Sequence, residues 1–330
     1  MVFSAQPPMT NFHYQSDPLE TIQDFIRWGA SLFFRAQLTF GHGTDNPFSE
    51  AKLLVLHVLG LPWDLAPAYF DCRVTQQEKQ QITELFRHRT ESRMPAAYLI
   101  GEAYFAGLKF TVTPDVLVPR SPIAELIEQR FEPWVEPEAV TNVLDLCTGS
   151  GCIGIACLKA FENAQIDLVD VSAPALSVAQ ANVDRYTLAD QVQVIESDLF
   201  AGLAGRQYDL IVSNPPYVDA IEMQHLPDEF QKEPALGLAA GQDGLDLVRR
   251  ILAQAADFLT ESGTLIVEVG VSQYYLQKAY PELPFYWFAF EQGGEGVFAL
   301  QKSELDVFSD PLQARIAPGV YPPEATPSSD

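Results

Sequence analysis

Residues 142–161 read NVLDLCTGSGCIGIACLKAF, and the pattern changes twice within them. The first six residues form an apolar run typical of a buried strand, and an apolar helix is predicted after Gly151. The glycines between the two allow a tight turn and close backbone approach to a ligand at the positive end of that helix. A strand, a glycine turn and a helix in this order predict an α/β sheet with a ligand-binding edge.

Strands and helices continue to alternate after this stretch. The apolar runs predict strands over 165–170, 191–198, 208–213 and 263–270, with helices over 173–186 and 245–259. Alternating units with buried strands are typical of a doubly wound, mostly parallel α/β sheet. The last two apolar segments, 285–290 and 296–301, flank a Gly-Gly turn and predict an antiparallel hairpin that completes seven strands.

The rest of the chain divides by composition into further parts. Residues 1–97 show apolar positions at helical spacing and predict a small helical domain. Residues 98–120 alternate aromatic and β-branched side chains around glycines, which predicts a β-hairpin linker. The α/β domain then covers 121–302, and the acidic, Pro-rich residues 303–330 are expected to be a disordered tail.

The charge of the chain restricts its partners. Formal net charge is −24, and residues 121–302 contain 27 Asp/Glu against 9 Lys/Arg. Phosphate backbones are bound through Lys and Arg, so direct binding of DNA is not expected. A basic protein suits such a surface.

No membrane partner and no metal are expected. The sequence lacks an apolar run long enough to span a bilayer and has no apparent signal peptide, so a cytoplasmic protein is predicted. Cys147, Cys152 and Cys157 are five residues apart, unlike the CxxC pairs of zinc and redox sites. They are interpreted as small core residues.

Three acids indicate the kind of cofactor. Asp170 ends the second strand, about 20 residues after the glycine turn, where a carboxylate can accept both ribose hydroxyls. Asp198 and Leu199 end the third strand and place a polar group beside an apolar one, as an adenine ring requires. Asp145, before the turn, is unfavourable beside a pyrophosphate but suits a cation such as a sulfonium. Together they favour S-adenosylmethionine over a nicotinamide nucleotide.

The motif Asn214-Pro215-Pro216-Tyr217 forms a rigid corner after the predicted strand 208–213. An amide or exocyclic amine is a poor nucleophile because its lone pair is delocalised. The Asn214 side-chain oxygen and the Pro215 carbonyl can accept both N–H bonds of such a group, while Tyr217 covers one face. The prolines order the backbone before the reaction.

These motifs resemble the class I S-adenosylmethionine-dependent methyltransferases that carry Asn-Pro-Pro-Tyr. Over residues 20–302 the chain is similar to the bacterial protein N(5)-glutamine methyltransferases, which share the helical domain, the GEAYFAGLKF hairpin (101–110), EPAL (233–236) and GQDG (241–244). The resemblance implies substrate recognition by the helical domain and substrate binding by residues 214–217. It implies cofactor contacts from Arg120, Cys147, Thr148, Gly149, Ser150, Gly151, Asp170, Asp198, Leu199 and Asn214. Arg120 has a second interpretation, as a cap of the hairpin.

The residues after the hairpin resemble one branch of this family. The release-factor branch usually reads Pro-Arg-Pro-Glu-Thr-Glu, whereas this chain has Pro119-Arg120-Ser121-Pro122-Ile123, with Ser121 and Pro122 predicted to begin a helix. That is similar to the branch that methylates large-subunit ribosomal protein L-three, a basic partner that agrees with the acidic charge. Leu199 departs from the release-factor enzymes, which often have an aromatic residue there.

Other functions remain open at this point. The chain could methylate release factors, or the exocyclic amine of a nucleic-acid base, although the latter normally requires a basic groove. It could also be a non-enzymatic assembly factor, which the intact Asn214, Gly149 and Gly151 disfavour. Residues 219–242 are predicted to be a mobile loop over the substrate, with a plain surface excursion as the alternative.

Overall fold

The computed structural model describes residues 18–308 and Leu312. Residues 1–17, the start of the predicted helical domain, and most of the predicted tail lie outside the described residues. The helices are α1 (Ile22–Arg35), α2 (Pro47–Val58), α3 (Gln76–Ser92), α4 (Ala96–Ile100), α5 (Ile123–Glu128), α6 (Cys152–Cys157), α7 (Ala173–Arg185), α8 (Asp246–Phe258), α9 (Gln273–Ala279) and α10 (Lys302–Val307). The strands are β1 (Glu102–Phe105), β2 (Leu108–Thr111), β3 (Asn142–Leu146), β4 (Gln165–Asp170), β5 (Val192–Glu196), β6 (Tyr208–Ser213), β7 (Leu259–Glu268), β8 (Tyr286–Trp287) and β9 (Val297–Gln301).

Helices α1–α4 form the amino-terminal helical region that the apolar spacing predicts. Capping boxes at Thr21 and Thr75 begin α1 and α3 by accepting otherwise unpaired backbone N–H groups. The two helices approach closely because Gly29 leaves room for the ring of Phe86, which a Cβ would meet at 2.5 Å. Phe86 also packs edge-on against Phe33 in a separate apolar cluster.

The linker hairpin is shorter than predicted. Residues 98–100 belong to α4, which ends at Gly101 in the left-handed conformation, and only β1 and β2 pair as the hairpin. Asn182 of α7 fastens this hairpin to the α/β domain: its side chain accepts from the Thr111 N–H at 2.7 Å and donates to the Thr111 carbonyl at 3.0 Å.

The main sheet has seven strands in the order β5-β4-β3-β6-β7-β9-β8. Strands β3 to β7 pair in parallel, while β9 runs antiparallel to both β7 and β8. The predicted sheet and its terminal antiparallel hairpin are confirmed. Both faces are covered, because Val143 and Ile266 join the cluster with α5–α7 while Leu144 and Leu265 join the one with α8 and α10.

Strand order reverses direction at β3, which lies between β4 and β6. Leu146 is in register with Val169 of β4 and with Ser213 of β6, so these three strands end side by side. The residues that follow them, Cys147, Asp170 and Asn214, therefore meet at one edge. In doubly wound sheets ligands bind outside such a reversal point.

The carboxyl-terminal boundary differs from the prediction. Residues 303–307 are helical rather than disordered, because Gln301 and Glu304 form a capping box and Leu305 is fully buried in the core. Helix α5 likewise begins at Ile123, with Pro122 before it, rather than at Pro122. Among the helices of residues 18–308, none has the length and apolarity that a bilayer crossing requires.

Candidate active site

A cavity of about 700 Å³ opens at the edge where β3, β4 and β6 end. Almost all of the predicted site residues line it: Arg120, Cys147, Thr148, Gly149, Ser150, Asp170, Asp198, Leu199, Asn214, Pro215, Pro216 and Tyr217. Gly151 is the exception and does not line the cavity. Its φ of 78° requires glycine, and a Cβ there would lie 2.9 Å from Leu168, so it serves the packing of α6 on the sheet.

Asp145 was expected beside a cationic ligand, but it lies behind the glycine turn. Its carboxylate is 1% exposed and does not line the cavity. One oxygen accepts from Thr148 Oγ1 at 2.6 Å and from the Gly154 N–H at 2.8 Å, which ties the glycine turn to the start of α6. Burial raises the pKa of Asp145 to about 7, against the effect of these two bonds. The residue holds the turn and does not offer its charge to a cation in the cavity.

Asp170 lies at the cavity edge and braces the glycine turn. Its Oδ2 accepts from the Gly149 N–H at 3.0 Å, and its Oδ1 accepts from the Ser172 N–H at 2.9 Å. A carboxylate has about four acceptor sites, so both oxygens can still accept from a ligand. Asp170 is thereby oriented before any ligand binds.

Asp198 and Leu199 form the next part of the cavity wall. Leu199 is 5% exposed and presents an apolar surface, whereas Asp198 accepts from Arg250 Nη2 of α8 at 2.8 Å. Arg250 also lines the cavity. The positive charge of Arg250 therefore lies beside Asp198 and Leu199, the two residues predicted to contact adenine.

The Asn-Pro-Pro-Tyr corner follows β6 and is held by the end of β7. Within residues 18–308 the Asn214 side chain makes no hydrogen bond, so its amide is available in the cavity. The Tyr217 hydroxyl donates to Glu268 Oε1 at 3.0 Å, and Ser272 Oγ donates to the Tyr217 carbonyl at 2.8 Å. Gly270 lies against the ring, because a Cβ there would be 2.6 Å from Tyr217 Cε2.

Arg120 lines the cavity with its guanidinium already paired. It donates to both oxygens of Glu233, at 2.6 and 2.5 Å, and lies 5.2 Å from the centroid of the Phe230 ring. The Val118 N–H also donates to Glu233, at 3.0 Å. Burial opposes ionisation of Glu233, yet His42 and Arg120 lower its pKa to about 2. The His42 ring is 3.6 Å away and makes no hydrogen bond to it, so Arg120 is the dominant partner.

The segment 219–242 is attached to the helical region at a second carboxylate. Glu229 is buried and accepts from Arg89 Nη1 at 3.3 Å and from Arg93 Nη2 at 3.1 Å. Arg89 is itself 1% exposed and donates to Glu50 at 2.7 Å. The predicted substrate loop is thus anchored to α3 at its middle, while exposed residues such as Ile221 remain at its surface.

The three cysteines near the glycine turn were predicted to be core residues. Cys152 and Cys157 are buried and Cys147 is partly buried, and of the three Cys147 and Cys152 line the cavity. Burial raises the pKa of the Cys147 thiol above its ordinary value, so it stays neutral. In the described part of the chain no group of three or more His, Cys, Asp or Glu side chains is arranged to hold a metal ion.

Sequence reasoning missed four polar residues that shape this site: Asn182, Glu233, Arg250 and Glu268. Glu233 belongs to the EPAL motif, which the resembling family shares, but the motif did not indicate that Glu233 pairs with Arg120. Glu268 interrupts the apolar run of β7, and an acid at that point of a buried strand was a usable signal. Asn182 and Arg250 lie within helices and carry no local signal.

Comparison with known proteins assigns the family. Residues 31–101 match the family described as PrmC N-terminal domain, and residues 130–235 match the one described as methyltransferase small domain. The ribosomal protein uL3 glutamine methyltransferase of Xanthomonas campestris pv. campestris is 54% identical over 290 residues, which cover 88% of this chain and 94% of the relative. This chain belongs to the uL3 glutamine methyltransferase family. The family member of Xylella fastidiosa is 51% identical over 302 residues, covering 92% of this chain and 96% of that protein.

Solved structures resemble this methyltransferase more distantly. The catalytic domain of hMettl16 in complex with an RNA hairpin of MAT2A has a TM-score of 0.46 at 16% identity, covering 69% of this chain and 81% of that one. A methyltransferase from Pyrococcus furiosus has a TM-score of 0.43 at 17% identity, covering 59% and 89%. These values are too low to bear on the substrate.

Proposed function

We propose that this methyltransferase transfers a methyl group from S-adenosylmethionine to the side-chain nitrogen N(5) of a glutamine in ribosomal protein uL3 (L-three). The observation that carries the proposal is that the glycine turn and the Asn-Pro-Pro-Tyr corner open into one cavity. Its volume of about 700 Å³ is within the range of small-molecule sites and leaves room for a side chain beside a nucleoside. The named relatives support uL3 as the substrate.

The residues at the strand edge fit S-adenosylmethionine. Asp170, braced by the backbone of Gly149 and Ser172, would accept from the ribose hydroxyls, and Leu199 would pack against the adenine. Arg250 fixes the Asp198 carboxylate beside that apolar wall. When bound, S-adenosylmethionine supplies an electrophilic methyl group on a sulfonium.

Asn214 and Pro215 would bind the glutamine amide as acceptors. The Asn214 amide oxygen and the Pro215 carbonyl accept the two N–H bonds, which draws the nitrogen lone pair out of conjugation and orients it. Pro215 and Pro216 are buried and rigid, so these acceptors need little reorganisation during the reaction.

Tyr217 would contribute its ring and not a base. Burial and the neighbouring Glu268 carboxylate raise the pKa of Tyr217 well above its ordinary value, so the phenol remains protonated. Its ring covers one face of the planar amide. No ionised base is needed at the corner, because the methylated nitrogen becomes acidic and releases its proton to water.

The acidic catalytic half would recognise a basic protein in the cytoplasm. Residues 121–302 carry 27 Asp/Glu against 9 Lys/Arg, and opposite charge on uL3 raises the rate of encounter. The helical region and residues 219–242, joined through Glu229, would together contact the substrate protein. No contact with DNA is proposed.

A labelling experiment tests this function. The purified protein is incubated with methyl-labelled S-adenosylmethionine and either recombinant uL3 or a release factor, and the modified residue is located by mass spectrometry. Label on one glutamine of uL3 and its loss with Asn214→Ala are expected. Preferential labelling of the release factor would overturn the substrate, and label found only in nucleic acid would overturn the glutamine chemistry.

A further inference from the structure

Glu268 is a buried carboxylate that the proposed chemistry does not use. It ends β7, is 3% exposed and lines the cavity. It lies between two hydroxyl groups from separate parts of the chain. Ser121 Oγ donates to its Oε2 at 2.6 Å, and the Tyr217 hydroxyl donates to its Oε1 at 3.0 Å.

The directions of these hydrogen bonds are determined by the partners. Ser121 Oγ also accepts from the Ile123 N–H at 3.2 Å, so its single proton points to Glu268. The Tyr217 phenol has one proton as well, and Glu268 is its hydrogen-bond acceptor among the described residues. Two donors require an acceptor at both oxygens, which a carboxylate provides and an amide does not.

Two further contacts of Tyr217 come from the residues that follow β7. Gly270 lies against the ring and Ser272 binds the backbone carbonyl, and both follow β7 directly. Ser272 thus holds the backbone end of Tyr217. The hydrogen bond from the Tyr217 hydroxyl to Glu268 therefore sets the rotation and tilt of the ring. Ser121 in turn fixes Glu268 from the segment after the hairpin.

We propose that Glu268 is a positioning residue for methyl transfer, which holds the Tyr217 ring over the substrate amide and is itself held by Ser121. This inference rests on the proposed function. Glu268 acts through Tyr217 and not through the glycine turn or Asp170. Its loss should therefore reduce kcat while binding of S-adenosylhomocysteine is retained.

Two substitutions disturb the linked Ser121–Glu268–Tyr217 hydrogen bonds at different points. Glu268→Gln keeps the size of the side chain but offers an NH₂ group to one of the two hydroxyls, and Tyr217→Phe removes the hydroxyl and keeps the ring. Each should lower kcat for uL3 about 10-fold or more, with KM and S-adenosylhomocysteine affinity within about 3-fold. The double variant should be no slower than the slower single variant, because both changes act on Tyr217 through the same linked hydrogen bonds. Glu261→Gln, an exposed acid on the same strand, is the matched control and should retain wild-type kcat.

The outcomes separate this inference from the proposed function. If the wild-type protein does not methylate uL3, the proposed function fails. If it does, and Glu268→Gln and Tyr217→Phe both retain kcat within 2-fold, Glu268 is not a positioning residue. Additive losses in the double variant would also overturn the inference, since they indicate independent roles. If Glu268→Gln fails to fold, Tyr217→Phe alone tests the inference. A kcat of Tyr217→Phe within 2-fold of wild type would then overturn it.

Discussion

Arg120 and Glu233 form a two-bond ion pair, at 2.6 and 2.5 Å, that joins the exit of the β1–β2 hairpin to the segment over the cavity. The Glu233 side chain is fully buried and that of Arg120 is 27% exposed. The pair closes one wall of the cavity from two segments that are distant in sequence. Its integrity should matter for both folding and activity.

Removing Arg120 should destabilise the protein because it leaves the Glu233 carboxylate buried without its main partner. For Arg120→Ala we expect a loss of about 2–4 kcal/mol in the free energy of unfolding, near the lower end for buried pairs since Arg120 is partly exposed. Arg120→Lys should cost less. Urea unfolding measures both, with Arg73→Ala as control, because Arg73 pairs with Glu20 at an exposed site. Equal effects of Arg120→Ala and Arg73→Ala would contradict the structural importance of the pair.

Loss of the Asp170 carboxylate should weaken cofactor binding. Asp170→Ala removes both the proposed acceptor for the ribose and the brace of the Gly149 turn, and affinity for S-adenosylhomocysteine should fall by about 1–3 kcal/mol. Titration calorimetry measures this, with Asp184→Ala on the exposed side of α7 as a control. Unchanged affinity, or tight binding of NAD by the wild-type protein, would refute the proposed cofactor site.

Asn214→Ala should act mainly on the chemical step. The remaining Pro215 carbonyl cannot orient the amide alone, so kcat should fall about 10²–10³-fold, the range for one lost preorganised polar contact. Affinity for S-adenosylhomocysteine should change much less. Steady-state methylation of uL3 and calorimetry on the same preparation separate the two quantities. Near-normal turnover would mean that the corner is structural.

The methylation rate should increase with pH through about 7. Burial raises the pKa of Glu268 to about 7, against the bonds from Ser121 and Tyr217 and the charge of Arg120. Only the ionised carboxylate accepts from both hydroxyls, so protonation below this pH releases one of them.

Folding stability should respond in the opposite direction. Because the folded pKa of Glu268 exceeds its ordinary value of 4.5, the stability that this group contributes is complete below about pH 4.5 and is lost as the pH rises to about 7. Acidification should therefore slow methylation without a loss of stability from this group. Glu268→Gln should remove the acid limb of the pH–rate profile. An unchanged limb would show that Glu268 is not its cause, and Asp145, whose pKa is also raised to about 7, would be the next group to substitute.

Salt should weaken recognition of the protein substrate and not of the cofactor. The proposed attraction between the acidic half and a basic partner acts over long distances at low salt, whereas near physiological ionic strength it is screened beyond about 8–10 Å. The KM for uL3 should rise along a salt series, while S-adenosylhomocysteine affinity stays nearly constant. A salt-independent KM for uL3 would exclude charge as a major part of recognition.

The local sequence determined the order of strands and helices and the residues that lie at the ligand-binding edge of the sheet. Strand and helix order follow from apolar periodicity, and a residue that ends a parallel strand must lie at the common edge of the sheet. Gly149, Asp170 and Asn214 could therefore be assigned to one site from sequence, and the structure brings all three to the same cavity. Boundaries were less predictable, as α4 and α10 demonstrate, because caps and single buried side chains decide them.

Tertiary structure alone decided which side chains pair across the site. Ser121 and Glu268 are 147 residues apart, and Arg120 and Glu233 are 113 apart, so no local period relates them. Packing also turned Asp145 away from the cavity to hold the glycine turn, although its position before that turn suggested contact with a cationic ligand. A buried polar group must find its partner wherever the packed elements place one, and that position depends on the whole fold.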